Sequence, residues 1–240
     1  RRVKAGEIVW CDVDYVMSHD TMTVLAMGAF RELSGEKGKV FDKARIIIPF
    51  DHIVPPANME QASAQRQIMR FIEEQGITHF YQDGVCHQIM VEKGFAQPGR
   101  VIIGSDSHTC TYGALGCFST GMGSTDIGVA YATGGTWFRI PETFNIHVTG
   151  KLPNGVYAKD LIQYIISKTG VEGANYMAVE FTGDTIENME IHERLTLANM
   201  AIELGGKAGL VAPDKKTADF IRAVEPGVDV SGDMFRLKAV

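Results

Sequence analysis

Val101-Ile102-Ile103-Gly104-Ser105-Asp106-Ser107-His108-Thr109 decides how this chain is read. Its β-branched start is the kind of run that fits a strand covered on both faces. The run then leads directly into a carboxylate, hydroxyls and an imidazole. In open α/β sheets, ligands bind beyond the carboxyl ends of the strands. The stretch therefore predicts a buried strand with a site at its end. Two upstream runs finish in the same way. Arg45-Ile46-Ile47-Ile48 leads to Asp51-His52, and Thr78-His79-Phe80-Tyr81 leads to His87 within Asp83-Gly84-Val85-Cys86-His87-Gln88.

Between these strands lie helix signals. Met22 to Leu33 carries helix-compatible apolar residues. Asn58 to Glu74 places Ile68, Phe71 and Ile72 on one side and is followed by Gly76 as a stop. Glu7-Ile8-Val9-Trp10 reads as a short strand. Met17, Met22 and Met27 read as core filler. The tract from Gly113 to Gly135, rich in small residues, suits close packing or close approach of the backbone to a ligand. Alternating strand and helix signals predict a layered α/β fold.

A second unit begins near Pro141. Phe144-Asn145-Ile146-His147-Val148 alternates like a strand with one covered face. Leu161, Ile162, Ile165 and Ile166 give Asp160 to Lys168 helical spacing. Asn188 is the expected cap of a helix running to about Leu204 and closed by Gly205-Gly206. On that helix His192, Thr196, Asn199 and Glu203 share one face. That face is either an ordinary solvated one or the wall of a cleft between the two units.

The 240 residues are 45% hydrophobic and carry a net charge of -6. The acidic balance argues against a nucleic-acid partner, which calls for a clustered basic face. No apolar run is long enough to span a bilayer. Cys11, Cys86, Cys110 and Cys117 are irregularly spaced and include no Cys-x-x-Cys pair. They form neither a disulfide framework nor a complete zinc site. Unpaired cysteines fit a reducing compartment, so the cytoplasm is the expected location. Gly121-Met122-Gly123-Ser124-Thr125-Asp126 completes neither nucleotide-binding glycine pattern.

Asp51-His52, His87 and Asp106-Ser107-His108 are the candidate catalytic residues. Taken singly, an Asp-His pair after a strand is usually a turn or a cap, and a histidine beside Gly and Cys often fills a niche. Together, at equivalent strand ends, they form a site. Imidazole titrates near neutrality and works as general acid or base. A neighbouring carboxylate favours its protonated form and fixes its orientation. Ser107 offers a hydrogen bond to a substrate carboxylate. The set has no nucleophile with a base at fixed spacing, so acid–base chemistry is expected rather than acyl transfer.

These residues also carry a resemblance. Phe50-Asp51-His52, Gly84-Val85-Cys86-His87-Gln88, Gly104-Ser105-Asp106-Ser107-His108-Thr109, Gly121 to Asp126, Trp137 to Thr143, and Asn199-Met200-Ala201-Ile202-Glu203 resemble the aconitase superfamily. The likeness runs from about Gly6 to Thr217 and is strongest to the 3-isopropylmalate dehydratase and homoaconitase large subunits. It implies layered α/β/α N-terminal domains, here residues 1–141 and 142–230, with 231–240 unplaced. It also implies a hydro-lyase of hydroxy polycarboxylic acids that uses a [4Fe-4S] cluster as Lewis acid.

By the same resemblance, His52 with Asp51 would protonate the departing hydroxyl, and His87 and Asp106 would orient the iron-bound water. Ser107 and His108 would hold substrate, with His19 at a substrate-contacting position. Asn199 and Glu203 would lie beside the cluster. The family's cluster cysteines sit in a Cys-Thr-Asn-Gly-Arg block and a Cys-x-x-Cys pair, and this sequence has neither. The catalytic serine base and carboxylate-binding arginines are absent too. The expectation is a portion of a large subunit, inactive alone, that works with a small subunit. A second expectation is a mononuclear metal enzyme in which His52, His87 and His108 hold a divalent ion with Asp51 or Asp106. A third is a non-catalytic binding module.

Overall fold

The structure is a computed structural model that describes residues 2–228. The unplaced tail 231–240 and the last two residues of the second expected unit lie outside the described residues. Strand β1 (Ile8–Asp12) is followed by β2 (Tyr15–Met17), helix α1 (Thr23–Ser34), β3 (Ile46–Pro49), α2 (Met59–Gln75), β4 (His79–Tyr81) and α3 (Cys86–Glu92). Next come β5 (Val101–Gly104), a 3-10 helix (Ser107–Leu115), β6 (Phe118–Gly121), α4 (Ser124–Thr133) and β7 (Gly135–Arg139).

Five of these strands form one parallel sheet in the order β4-β3-β2-β5-β6. The isoleucine run behaves as its chemistry dictates: Ile46, Ile47 and Ile48 are fully buried. Ile46 and Ile48 face a core with Phe30, Phe71 and Tyr131 from α1, α2 and α4. Ile47 faces the opposite core, with Met90 of α3 and Tyr112 and Leu115 of the 3-10 helix. The sheet is thus covered by helices on both faces. Met17 and Met27 are buried in these cores, as their filler role predicts.

Local signals explain several boundaries. The Asn58 carboxamide accepts the Gln61 N–H at 2.9 Å and opens α2, and Gly76 closes it in the left-handed conformation (φ 69°). Inside the Gly-rich tract α4 lies close to α1: a Cβ at Gly128 would sit 2.6 Å from the Ala26 carbonyl. The strand read at Glu7–Trp10 does not join the parallel sheet. It pairs antiparallel with β7, Trp10 opposite Trp137.

After Pro141 come β8 (Thr143–His147), α5 (Ala158–Thr169), β9 (Ala178–Thr182), α6 (Asp184–Asn188), α7 (Ile191–Asn199), a second 3-10 helix (Met200–Leu204), β10 (Ala208–Val211) and α8 (Lys215–Val224). The three strands form a parallel sheet, β10-β9-β8. Two expectations are corrected here. Asn188 does not cap the long helix; it is the last residue of α6. Glu190 takes that place, its backbone N–H held by the Glu193 carboxylate at 2.9 Å. The helix also does not run α-helically to Leu204, because it tightens into the 3-10 form after Asn199 before Gly205 ends it.

The 3-10 helix Ser107–Leu115 rests directly on β10. A Cβ at Gly113 would lie 1.8 Å from the Gly209 carbonyl oxygen, and one at Gly209 would lie 2.6 Å from the Ala198 carbonyl. Backbone cannot rotate aside as a side chain can. Gly113→Ala is therefore expected to destabilise the fold by about 3 kcal/mol, the upper end of ordinary overpacking. Urea unfolding of the two proteins measures it, and a midpoint unchanged at equal slope would refute it. No helix among the described residues is long and apolar enough to cross a membrane.

Candidate active site

The carboxyl ends of the parallel strands lie level in the sheet: Met17 is opposite both Ile47 and Gly104, Pro49 opposite Tyr81, and Gly104 opposite Gly121. The connections run outward in opposite directions from the β2/β5 boundary, which makes it the sheet's switch point. Ser18-His19-Asp20 leaves β2 there, and Ser105-Asp106-Ser107-His108 leaves β5. The loop after β3 carries Asp51-His52. His87 follows β4 on the first turn of α3.

Asp106 is the hub. One carboxylate oxygen lies 2.9 Å from His87 Nε2, and the other lies 3.3 Å from His52 Nε2. The same carboxylate caps the 3-10 helix by accepting the His108 N–H at 2.7 Å, with His108 Nδ1 3.6 Å away. All three predicted imidazoles thus gather on one carboxylate. The His87 hydrogen bond draws Asp106 well below the usual carboxylate range, against the effect of its burial and with help from the His108 N–H. On its other side His87 Nδ1 lies 3.1 Å from the buried Tyr112 hydroxyl. The tautomer that satisfies both contacts has Nε2–H donating to Asp106 and the Tyr112 O–H donating to Nδ1.

His52 Nδ1 lies 2.7 Å from Asp51 Oδ1. Burial alone would lower the His52 pKa. The Asp51 hydrogen bond, with the charges of Asp51 and Asp106, outweighs burial and raises it above the ordinary 6.5. Asp51 is itself half-buried, yet its pKa is lowered, because its second oxygen accepts the Cys86 N–H at 2.6 Å and its first faces His52. The pair's contribution to stability follows in sign. The His52 part is complete below pH 6.5 and fades as pH climbs through the raised value. The Asp51 and Asp106 parts are complete above 3.8 and are lost as pH falls through their lowered values.

His19 is buried and stacks on His52, with ring centroids 3.8 Å apart and planes 14° from parallel. Burial, with the charge of His52, lowers its pKa, opposite in direction to the shift of His52. Asn199 and Glu203 come to the same place from the second sheet's helices. Asn199 Nδ2 donates to Thr111 Oγ1 at 2.9 Å, and Glu203 lies 3.3 Å from His108 Nε2. His192, Thr196 and Asn199 line a cavity of about 1180 Å³ that also reaches His87 and Thr111. Ser107 Oγ lies 3.1 Å from His108 Nδ1.

Two residues escaped the sequence reading. Asp20 accepts the backbone N–H groups of His52 and Ile53 at 3.1 and 2.9 Å and so fixes the His52 loop. Its signal was available: it follows His19 at a strand end, but the strand is only three residues long. Tyr112, which orients His87, had no local signal.

Cys86, Cys110 and Cys117 are buried, and burial pushes the Cys110 and Cys117 thiols up to about 12. Their sulfurs turn to protein carbonyls, Cys110 to Asn199 and Cys117 to Gln97. No three thiols come within ligating distance of one another among the described residues. These cysteines do not fit a cluster-ligand set, which needs thiolates grouped on one centre. The described residues that meet at metal-binding separations are His19, Asp20 and His52. Stacked parallel rings direct their lone pairs side by side, however, and the Asp20 oxygens are held by backbone N–H groups. His87 hydrogen-bonds the Asp106 carboxylate, and the His52 and His108 rings lie 3.3 and 3.6 Å from it, so the three rings face a carboxylate rather than a shared ion position.

The chain is similar to known proteins along most of its length. The family model described as "Aconitase family (aconitate hydratase)" matches residues 1–234. A Methanosarcina mazei protein named probable methanogen homoaconitase large subunit is 50% identical over 226 residues, covering 92% of this chain and 57% of that protein. A Methanothermobacter thermautotrophicus protein named probable 3-isopropylmalate dehydratase large subunit is 50% identical over 223 residues, covering 92% of this chain and 53% of that protein. The 3-isopropylmalate dehydratase large subunit 1 of Methanopyrus kandleri is 45% identical over 236 residues, 94% of this chain and 56% of its own length. The chain spans about half the length of the curated relatives it matches. With parallel α/β sheets and a family match over residues 1–234, the chain belongs to the aconitase family.

Proposed function

We propose that this chain carries the acid–base centre of a hydro-lyase large subunit that removes water from a hydroxy polycarboxylic acid and returns it at the neighbouring carbon. The interconversion of 2- and 3-isopropylmalate is the first choice of reaction, and a homoaconitase reaction the second; the names of the relatives support both. The observation that carries the reading is the gathering of His52, His87 and His108 on Asp106 beside the switch point.

His52 is the acid. Asp51 holds its Nδ1, which leaves Nε2 to give a proton to the departing hydroxyl as the C–O bond breaks, so that water leaves. His87, locked between Asp106 and Tyr112, fixes the Asp106 carboxylate that holds that water for return. Ser107 and His108 hold substrate oxygens, and His19 lies against the same ring as the acid. Asn199 and Glu203 close the second side of the site. The proton lost from the adjacent carbon needs a base, and no residue placed here is suited to take it; that base comes from outside these residues. Aconitase-family members generally use a [4Fe-4S] cluster, for which these thiols do not supply the ligands.

A small subunit is the proposed partner, as the "large subunit" names of the relatives suggest. Residues 1–141 and 142–230 are proposed as two α/β domains of that larger protein, with the cytoplasm as its location. In the complete large subunit assembled with its small subunit, isopropylmalate is expected to produce the ultraviolet absorbance of an unsaturated acid. A homoaconitase would instead respond to a hydroxytricarboxylate. Failure to turn over any hydroxy diacid or triacid would refute the proposal.

A further inference from the structure

Lys207 belongs to the second sheet by its backbone and to the first by its side chain. Its N–H donates to the Met177 carbonyl at 2.8 Å, immediately before β10. Its ammonium crosses to the Gly121 carbonyl at the carboxyl end of β6, 3.3 Å away. Tyr176 backs it, the Nζ lying 5.6 Å from the ring centroid. In an acidic chain this half-buried cation makes no ion pair with any described residue.

The ammonium lines a cavity of about 270 Å³ whose wall includes Ser105, Asp106, Ser107, Met122 and Ile202. The Asp106 carboxylate in that wall is already engaged by three imidazoles and a backbone N–H. Ser105 Oγ accepts the His19 N–H, which leaves its own proton free to donate. An ammonium carries three donors, and one carbonyl at the long end of hydrogen-bond range uses one of them. The cavity thus offers a point charge and hydroxyl donors beside the acid–base centre, with an apolar side from Met122 and Ile202.

We propose that Lys207 is a specificity-determining residue that anchors one carboxylate of the substrate in this cavity; the assignment rests on the polycarboxylate reading above. Burial lowers the Lys207 pKa, only partly offset by Asp126, so an arriving carboxylate supplies the ion-pair partner that Lys207 lacks among the described residues.

Tricarballylate, a tricarboxylate with no hydroxyl to lose, tests the site apart from turnover. Its binding to the complete large subunit with its small subunit is measured by calorimetry. Lys207→Met keeps the aliphatic stem and is expected to weaken binding by about tenfold or more, while Lys207→Arg stays within about threefold of the parent. In turnover, Lys207→Met is expected to raise KM with kcat held within about threefold. Binding unchanged in Lys207→Met, or absent in the parent, overturns the assignment. So does weakened binding accompanied by a matching fall in thermal midpoint, which marks Lys207 as a strut to Gly121 alone. Lys207-dependent binding without turnover of any hydroxy acid supports the carboxylate site and refutes the hydro-lyase.

Discussion

Replacing His52 by alanine is expected to lower kcat by about 10²–10⁴-fold, with KM within about threefold of the parent. The expectation follows from where the ring's two nitrogens go. Nδ1 is committed to Asp51, and Nε2 is the one atom of the ring left to deliver a proton. A group that acts only as the C–O bond breaks affects kcat and not substrate affinity. The same contacts set the pH dependence. Because the His52 pKa is raised, its acid form survives past pH 6.5, and kcat should decline as pH rises through that raised value. Asp51→Asn removes the largest raising contribution and leaves the burial, so the decline should move to lower pH. A His52→Ala enzyme within tenfold of the parent, or an alkaline limb unmoved in Asp51→Asn, would remove His52 from the acid role.

Asp106→Asn is expected to cost about 10³-fold in kcat and about 1–3 kcal/mol in stability. The substitution conserves shape and changes hydrogen-bond sense. Asp106 accepts from His87 Nε2 and from the His108 N–H and faces His52 as an anion. An asparagine can keep its oxygen on both of those donors, since they share Oδ1, but it then turns its NH2 group toward His52 Nε2 and withdraws the anion that faces that ring. The measurements are kcat and the urea midpoint of the purified variant. A kcat within tenfold of the parent would show that the carboxylate only caps the 3-10 helix.

Much of this centre was legible because strand ends are chemically abrupt. Three isoleucines buried on two faces can hardly be other than a central strand, and Asp51-His52 just beyond them falls where ligands bind. What escaped was whatever depended on distant partners. Strand β2 is three residues long and follows β1 so closely that their periodicities merge, which hid Asp20 behind His19. Helix α3 has no side-chain cap of its own. Its first N–H is satisfied by Asp51, 35 residues earlier, so nothing local announces a helix under His87. Asn188 looked like a cap because asparagine favours that position, yet Glu190 and Glu193 provide the reciprocal contact. Lys207 carried no signal, since the cavity it faces exists only once two sheets have met.

The contact of Gly113 with Gly209 limits how this protein can breathe. A seam of main chain against main chain holds no rotamer that could swing aside, and it sits under the turn that carries Asp106 and His108. The helical face bearing Glu203 is therefore set against those residues by peptide geometry, so a reactant is expected to enter from the loop side of the sheet rather than by parting of this seam.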